Sequence, residues 1–229
     1  TPVAAAPVSK TGGKKPSFIL GISAFYHDSA CALIRDGEII AAAQEERFTR
    51  IKNDAAFPAN AINFCLEQAN AGIDDIDSIV FYDQPYATLE RIVATQATVY
   101  PEGDTIWEEL FPKWVQAKMH IPDIIRSQLD YNGNIYMAMH HLSHAASAYY
   151  PSPFTKAAIL TIDGVGEWAT ATIGIGNGND IKILKEINFP HSVGLLYSAF
   201  TYYTGFKVNE GEYKLMGLAP YGNPEAEET

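Results

Sequence analysis

The chain has 229 residues, 47% of them hydrophobic and 19% charged, which is the composition of a globular protein with a substantial core. A net charge of −11 argues against a nucleic-acid partner, because phosphate contacts need clustered lysine and arginine. The two cysteines lack metal-binding spacing, and no apolar run approaches the ~20 residues that span a membrane. We therefore expect a cytoplasmic protein with reduced thiols and no membrane contact.

Apolar runs and turn residues predict a first series of elements along residues 17–153. Residues 1–16 are small and polar, lack the apolar stretch of a secretory signal, and are expected to form a disordered tail. The predicted series is a strand (17–23), a hairpin around Asp36-Gly37 (31–46), a helix ending near Gly72 (57–72), a strand (76–83), a helical region broken at Pro122 (104–130), a strand (134–140) and a helix that Pro151 ends (142–150). This order, β-β-β-α-β-α-β-α, is that of the ribonuclease-H-like fold.

The same order begins again in residues 154–229. The second series is a strand (156–163), a hairpin around residues 177–180 (169–189) and a helix (193–205). Two copies predict a duplicated, two-lobed α/β fold of the sugar-kinase/actin superfamily, in which the loop after each first strand faces a nucleotide. The second lobe lacks its later strands, so we expect the chain to be the front of a longer protein.

The loop after the first strand carries His27 and Asp28. Ligands bind at this edge of α/β sheets, which favours a functional pair, although a histidine that bonds Asp28 within a turn explains the residues equally well. Farther along, Arg47, Arg50 and Lys52 place three cations in six positions. They would suit an anionic substrate such as a phosphate, and a solvated charged loop is the simpler alternative.

The segment "MAMHHLSHAASAYYPSPF" (137–154) holds three of the chain's six histidines. His140 and His144 are four residues apart, so both imidazoles share one face, as metal ligands do, if a helix begins at or before His140. His141 would point elsewhere and is expected to be structural. Spacing alone favours ordinary surface histidines, but the position at the end of a predicted strand favours a metal site.

Asp163 ends the first strand of the second copy, in "TIDGVGEW", and is the third ligand candidate. Two histidines and one aspartate with open positions suit iron, manganese or zinc, while Asp-Gly also favours a plain type I turn. The glycine-punctuated segment 209–222 is predicted as a loop that lines a nucleotide or connects the lobes. The predicted nucleotide contacts are Gly164, Gly166, Glu212 and Lys214.

Four segments together resemble the carbamoyltransferases that act on antibiotics and nodulation factors: "GISAFYHDSACALIRDGEIIAAAQEERFTRIKND", "HHLSHAASAYYPSPF", "TIDGVGEW" and "GEYKLMGLAPYG". The resemblance implies a two-lobed N-terminal domain similar to the tRNA threonylcarbamoyl-transferring proteins. It also implies a C-terminal domain that makes carbamoyl-adenylate from carbamoyl phosphate and ATP. The N-terminal part would then transfer the carbamoyl group to a hydroxyl of a small-molecule acceptor in natural-product biosynthesis.

The resemblance also implies roles for residues of this chain. His140, His144 and Asp163 match metal ligands that hold the phosphate of the adenylate, with iron as the expected metal and a further aspartate downstream of residue 229. His27 matches a general base, and Lys52 matches a contact to the carbamoyl or phosphate group. Asp28 and Arg50, which flank these residues, are expected to contact substrate as well.

Two other functions remain open from the sequence. The chain could be a catalytically inert nucleotide- and metal-binding fragment or partner subunit, active only with the missing C-terminal domain. It could also be a small-molecule kinase of the same superfamily, although a kinase would leave the histidine cluster unexplained.

Overall fold

The computed structural model describes residues 15–102, 108, 111–112, 114 and 117–223, so most of the predicted tail and part of region 104–130 lie outside the described residues. Contacts divide the chain into two compact units, Thr1–Phe81 with Pro122–Tyr136 and Tyr82–Ile121 with Met137–Thr229. The lobe boundary expected after residue 153 concerns the repeat of elements and stays a prediction.

The strands are β1 (Phe18–Ser23), β2 (Ala30–Arg35), β3 (Glu38–Gln44), β4 (Ser78–Phe81), β5 (Asn134–Met137), β6 (Lys156–Ile162), β7 (Ala169–Asn177) and β8 (Asp180–Asn188). The helices are α1 (Glu46–Thr49), α2 (Ala59–Ala69), α3 (Pro85–Val99), α4 (Ile121–Leu129), α5 (His140–Tyr149), α6 (Val193–Tyr203) and α7 (Glu212–Leu218). Short 3₁₀ turns cover Ile73–Asp75, Lys118–His120 and Ala219–Tyr221.

The first unit is built on a five-stranded sheet in the order β3-β2-β1-β4-β5. Strand β1 runs antiparallel to β2 and parallel to β4, which is the mixed pairing of a ribonuclease-H-like lobe. Alternate residues of β1, Phe18, Leu20 and Ile22, are buried, as expected for a strand with one face on a core. Asp36 and Gly37 both take positive φ, which gives the tight hairpin between β2 and β3.

The second unit contains an antiparallel sheet in the order β6-β7-β8. Helix α5 packs on this sheet through Ala145 and Tyr149, which form a core cluster with Ile159. Helix α6 follows β8, so the predicted restart of strand, hairpin and helix is confirmed and the α/β fold class stands.

One prediction of local structure was wrong, because segment 209–222 was predicted as a loop but contains α7. Helix α3 was not predicted at all. Helix α2 also ends earlier than expected, because Asn70 takes a left-handed conformation (φ 51°) two residues before Gly72. Among the described residues, no helix combines the length and apolar character that crossing a membrane demands.

Candidate active site

Three side chains with metal-binding chemistry converge in the second unit. Because α5 begins at His140, His140 and His144 lie on one face of the helix, and their Nε2 atoms are 3.1 Å apart. The Oδ2 atom of Asp163 lies 2.6 Å from Nε2 of His140 and 3.1 Å from Nε2 of His144. All three ligand atoms lie within 4.8 Å of one another, so a single ion could contact them together.

Two hydrogen bonds orient Asp163 toward the histidines, one at its backbone N–H and one at its Oδ1 atom. Its N–H donates to the carbonyl of Thr170 at 2.9 Å, which holds the residue where β6 ends. Its Oδ1 atom accepts a hydrogen bond from the N–H of Gly164 at 2.6 Å. The other oxygen, Oδ2, is therefore the one that meets the imidazoles.

The electrostatics of the cluster favour a cation. Hydrogen bonds from His140 and then His144 hold the pKa of Asp163 well below its usual range, so the carboxylate is ionised. Burial alone would lower the pKa of His140, but the hydrogen bond and charge of Asp163 outweigh it and raise that pKa. Two imidazole nitrogens and one carboxylate oxygen are a donor set that fits Fe²⁺, Mn²⁺ or Zn²⁺.

His141 belongs to a different network. It is buried, and burial lowers the pKa of its imidazole, so the ring is neutral. Nε2 donates to the carbonyl of Ala169 at 2.8 Å, which leaves Nδ1 to accept from the hydroxyl of Thr161 at 2.7 Å. The ring therefore joins α5 to β6 and β7, in keeping with its expected structural role.

Two acidic residues beside the cluster were missed by the sequence reasoning. Glu167 is 2% exposed, and its Oε1 atom accepts hydrogen bonds from the N–H groups of Gln84 and His140. Burial, followed by the neighbouring Glu167, raises the pKa of Asp83 to about 6. The sequence offered one signal for each: Asp83 ends the strand predicted over residues 76–83, and Glu167 stands within "TIDGVGEW", four positions after Asp163.

In the first unit, His27 is held by a carboxylate. Its Nδ1 atom lies 2.7 Å from Oδ2 of Asp28, and the side-chain amide of Asn53 donates to both oxygens of Asp28 at 3.2 and 3.3 Å. Because a carboxylate oxygen accepts, the neutral form of the imidazole would carry its proton on Nδ1 and its lone pair on Nε2. The predicted substrate contact of Asp28 stays a prediction.

The three cations of the loop, Arg47, Arg50 and Lys52, are all exposed. Arg47 contacts Gln44 and Glu46, each at 3.4 Å. Arg50 and Lys52 are exposed, and Arg50 ends α1 in a left-handed conformation. Their contact with substrate stays a prediction.

The four predicted nucleotide contacts fall into two places. Gly164 and Gly166 lie on the loop of Asp163, but Gly166 is buried, and a Cβ added there would lie 3.0 Å from the Cβ of His140, which gives it a packing role. Glu212 begins α7 and bonds Ser198 of α6, while the Lys214 side chain lies over the Tyr213 ring. Nucleotide binding by this set stays a prediction.

These observations define a class of protein. Its members have an α/β fold with ribonuclease-H-like strand order and a cluster of two histidines and one carboxylate. Within that class, the chain belongs to the carbamoyltransferase family, because the family model described as "Carbamoyltransferase N-terminus" matches residues 18–229.

The chain is also similar to several proteins of known sequence. The chain is 53% identical over 214 residues to the uncharacterized protein sll1178 of Synechocystis sp., covering 90% of this chain and 35% of that protein. It is 38% identical over 203 residues to the nodulation protein NolNO of Sinorhizobium fredii, covering 87% of this chain and 28% of that protein. The chain thus spans about a third of the length of these relatives. Among solved structures, YeaZ from Pseudomonas aeruginosa aligns with a TM-score of 0.40 at 14% identity, over 76% of this chain and 67% of that chain.

Proposed function

We propose that the chain is the part of an O-carbamoyltransferase that moves a carbamoyl group from carbamoyl-adenylate to a hydroxyl of a small molecule. The observation that supports this most is the convergence of His140, His144 and Asp163, because a cation there would give the anionic donor a place to bind. The metal, which we propose to be iron with manganese or zinc as alternatives, would supply a Lewis acid that neutralises the donor phosphate. Carbamoyl phosphate and ATP would furnish the donor, in a part of the protein beyond this chain.

His27 is the proposed general base. The hydroxyl oxygen of the acceptor attacks the carbamoyl carbon, the bond from that carbon to the phosphate oxygen breaks, and AMP leaves. The hydroxyl proton passes to Nε2 of His27, since Nδ1 already donates to Asp28 at 2.7 Å. Asn53 fixes the carboxylate of Asp28, while Arg50 and Lys52 are proposed to contact the anionic donor.

The test separates the two half-reactions in a full-length protein that contains this chain. The enzyme would be supplied with ATP, carbamoyl phosphate and a panel of sugars, aminoglycosides and macrolides, and the products followed by mass spectrometry. His27→Asn should lower carbamate formation by at least ~100-fold, because an amide cannot take the proton, while carbamoyl-adenylate still forms. His191→Asn, at an exposed histidine before α6, is the matched control.

Two outcomes would contradict the proposal. Carbamate formation at the wild-type rate by His27→Asn would remove the base assignment. A phosphorylated acceptor in place of a carbamate would show a kinase instead.

A further inference from the structure

Glu167 is buried in the loop that carries Asp163, yet it is not among the ligand candidates. Its Oε1 atom accepts from the N–H of Gln84 at 3.0 Å and from the N–H of His140 at 2.9 Å. These two groups stand at the beginnings of α3 and α5, where helical N–H groups lack partners within the helix. The N-cap residues of the two helices, Gln84 and Met139, supply no side-chain cap, so the carboxylate of Glu167 reaches both ends. At Gln84 it shares the N–H with Oδ1 of Asp83, which lies 2.8 Å away.

The backbone of Glu167 is fixed as well. Its carbonyl accepts a hydrogen bond from Nε of Arg91, on α3, at 2.5 Å. The guanidinium of Arg91 also lies 5.3 Å from the centre of the Phe189 ring, which restrains the arginine. Both the side chain and the main chain of Glu167 therefore tie the loop of Asp163 to neighbouring helices.

The bond to His140 joins the two halves of the candidate metal centre. His140 is the first residue of α5, and His144 follows one turn later on the same helix. Asp163 is four residues before Glu167 on the loop. A shift of the loop against the start of α5 would therefore change the distances from Oδ2 of Asp163 to both imidazoles, which are now 2.6 and 3.1 Å.

We propose that Glu167 is a positioning residue for the metal centre: its carboxylate sets the spacing between Asp163 and the two histidines by holding the N–H of His140. This inference rests on the metal-binding part of the proposed function and does not require carbamoyl transfer. The length of the hydrogen bond from the N–H of His140 to Glu167 sets the spacing between Asp163 and the histidines. The presence of an acceptor oxygen and the length of the side chain that carries it therefore matter more for metal binding than the negative charge.

Three substitutions separate reach from charge. Glu167→Gln keeps an acceptor oxygen at the same distance from the backbone and removes the charge. Glu167→Asp keeps the charge and shortens the side chain by one methylene, so the oxygen no longer reaches both N–H groups. Glu167→Ala removes the acceptor. Tyr149→Phe is the control, because it deletes hydrogen bonds to Thr155 and Gly178 at the far end of α5.

The experiment is a titration of the metal-free, full-length protein with Mn²⁺, with free Mn²⁺ followed by electron paramagnetic resonance and folding checked by circular dichroism. Glu167→Ala and Glu167→Asp should bind Mn²⁺ ~10- to 100-fold more weakly than wild type, the usual range for partners of metal ligands. Glu167→Gln should stay within about threefold of wild type, because it preserves the spacing. Tyr149→Phe should lower the unfolding temperature without changing Mn²⁺ affinity.

Three outcomes would overturn the inference. Wild-type affinity in folded Glu167→Asp would make the carboxylate merely structural, and this variant decides the question if Glu167→Ala fails to fold. A loss in Glu167→Gln as large as that in Glu167→Asp would show that the charge, not the spacing, matters. A wild-type protein that binds no Mn²⁺ would refute both this inference and the metal-binding part of the proposed function. Failure to form a carbamate with normal Mn²⁺ binding would refute only the transfer.

Discussion

Asp83 has a carboxyl group whose ionisation opposes folding. Burial and the neighbouring Glu167 raise its pKa from 3.8 to about 6. Between these values the folded protein keeps a proton that the unfolded chain loses, so the contribution of Asp83 to the free energy of unfolding falls as pH rises through the window. Asp83→Asn removes this pH dependence. The asparagine side chain still has an oxygen that can accept the hydrogen bond that the N–H of Gln84 donates to Oδ1 of Asp83 at 2.8 Å.

We therefore expect Asp83→Asn to be more stable than wild type by about 1–3 kcal/mol above pH 6, with the difference shrinking toward zero near pH 4. Urea unfolding at several pH values, with a chelator present, measures it. Asp74→Asn, at an exposed aspartate, corrects for the removal of a charge. A mutant less stable than wild type at pH 7.5 would show that the carboxylate is needed in its ionised form.

The neighbouring histidines His141 and His144 should respond to different measurements. His141→Ala leaves the Thr161 hydroxyl and the Ala169 carbonyl without their partner, which should cost about 2–4 kcal/mol of unfolding free energy while metal content stays at the wild-type level. His144→Ala, at a side chain that is 50% exposed, should lose metal with little change in the stability of the metal-free protein. Denaturation with chelator and elemental analysis after metal loading test both variants. Metal loss in a fully stable His141→Ala would contradict the division of roles.

At this scale the sequence predicted that His140, His144 and Asp163 come together, but not which residues hold them in place. The proximity of His140 and His144 can be predicted from their spacing, because residues four positions apart in a helix lie on the same face. Glu167 acts through backbone N–H groups of Gln84 and His140, which have no residue signature, so no spacing rule could find it. The raised pKa of Asp83 could not be predicted from the sequence either, because it results mainly from the burial of this residue in the fold.

At the scale of elements, the first turn of α6 is packed closely against the end of β6. A Cβ atom added at Gly194 would overlap the backbone carbonyl of Asp163. Gly194→Ala should therefore displace the Asp163 loop, lower the unfolding free energy by about 1–3 kcal/mol and weaken Mn²⁺ binding. Gly217→Ala in α7, where nothing lies within 4 Å of an added Cβ, is the matched control and should be neutral or stabilising by up to about 1 kcal/mol. Unchanged Mn²⁺ affinity in Gly194→Ala would show that the loop is not held from this side.

The elements that sequence reasoning missed are those with weak periodicity. Helix α3 buries Pro85 and Thr88 but leaves Tyr86, Val93 and Val99 exposed, so its apolar residues do not mark one buried face. The one usable signal was the proline at its first position. Strands were easier, because the short apolar run of β1 and the turn residues at Asp36-Gly37 each imply a geometry without knowledge of the rest of the fold.

At the scale of the whole molecule, the order of elements carried the most information. The order β3-β2-β1-β4-β5 follows from a meander continued by a crossover, which the predicted sequence of strands and helices already contained. The repetition after residue 156 likewise predicted the antiparallel sheet of β6, β7 and β8. The membership of α5 in the same compact unit as that sheet was not predicted, since it depends on packing at Ala145 and Tyr149.

Because the chain divides into two compact units, we can predict which of them a bound metal stabilises. All three candidate ligands lie in the unit of Tyr82–Ile121 and Met137–Thr229. A metal at about 100 times its dissociation constant stabilises the bound state by about 2.7 kcal/mol, which slows exchange by about 100-fold for amides whose opening destroys the site. Hydrogen exchange with Mn²⁺ should therefore slow in α5, β6 and the Asp163 loop, while amides of β1, β2 and β3 that open without disturbing the site stay unchanged. His144→Ala should abolish the protection, and slowing confined to β1–β3 would place the metal outside the cluster of His140, His144 and Asp163.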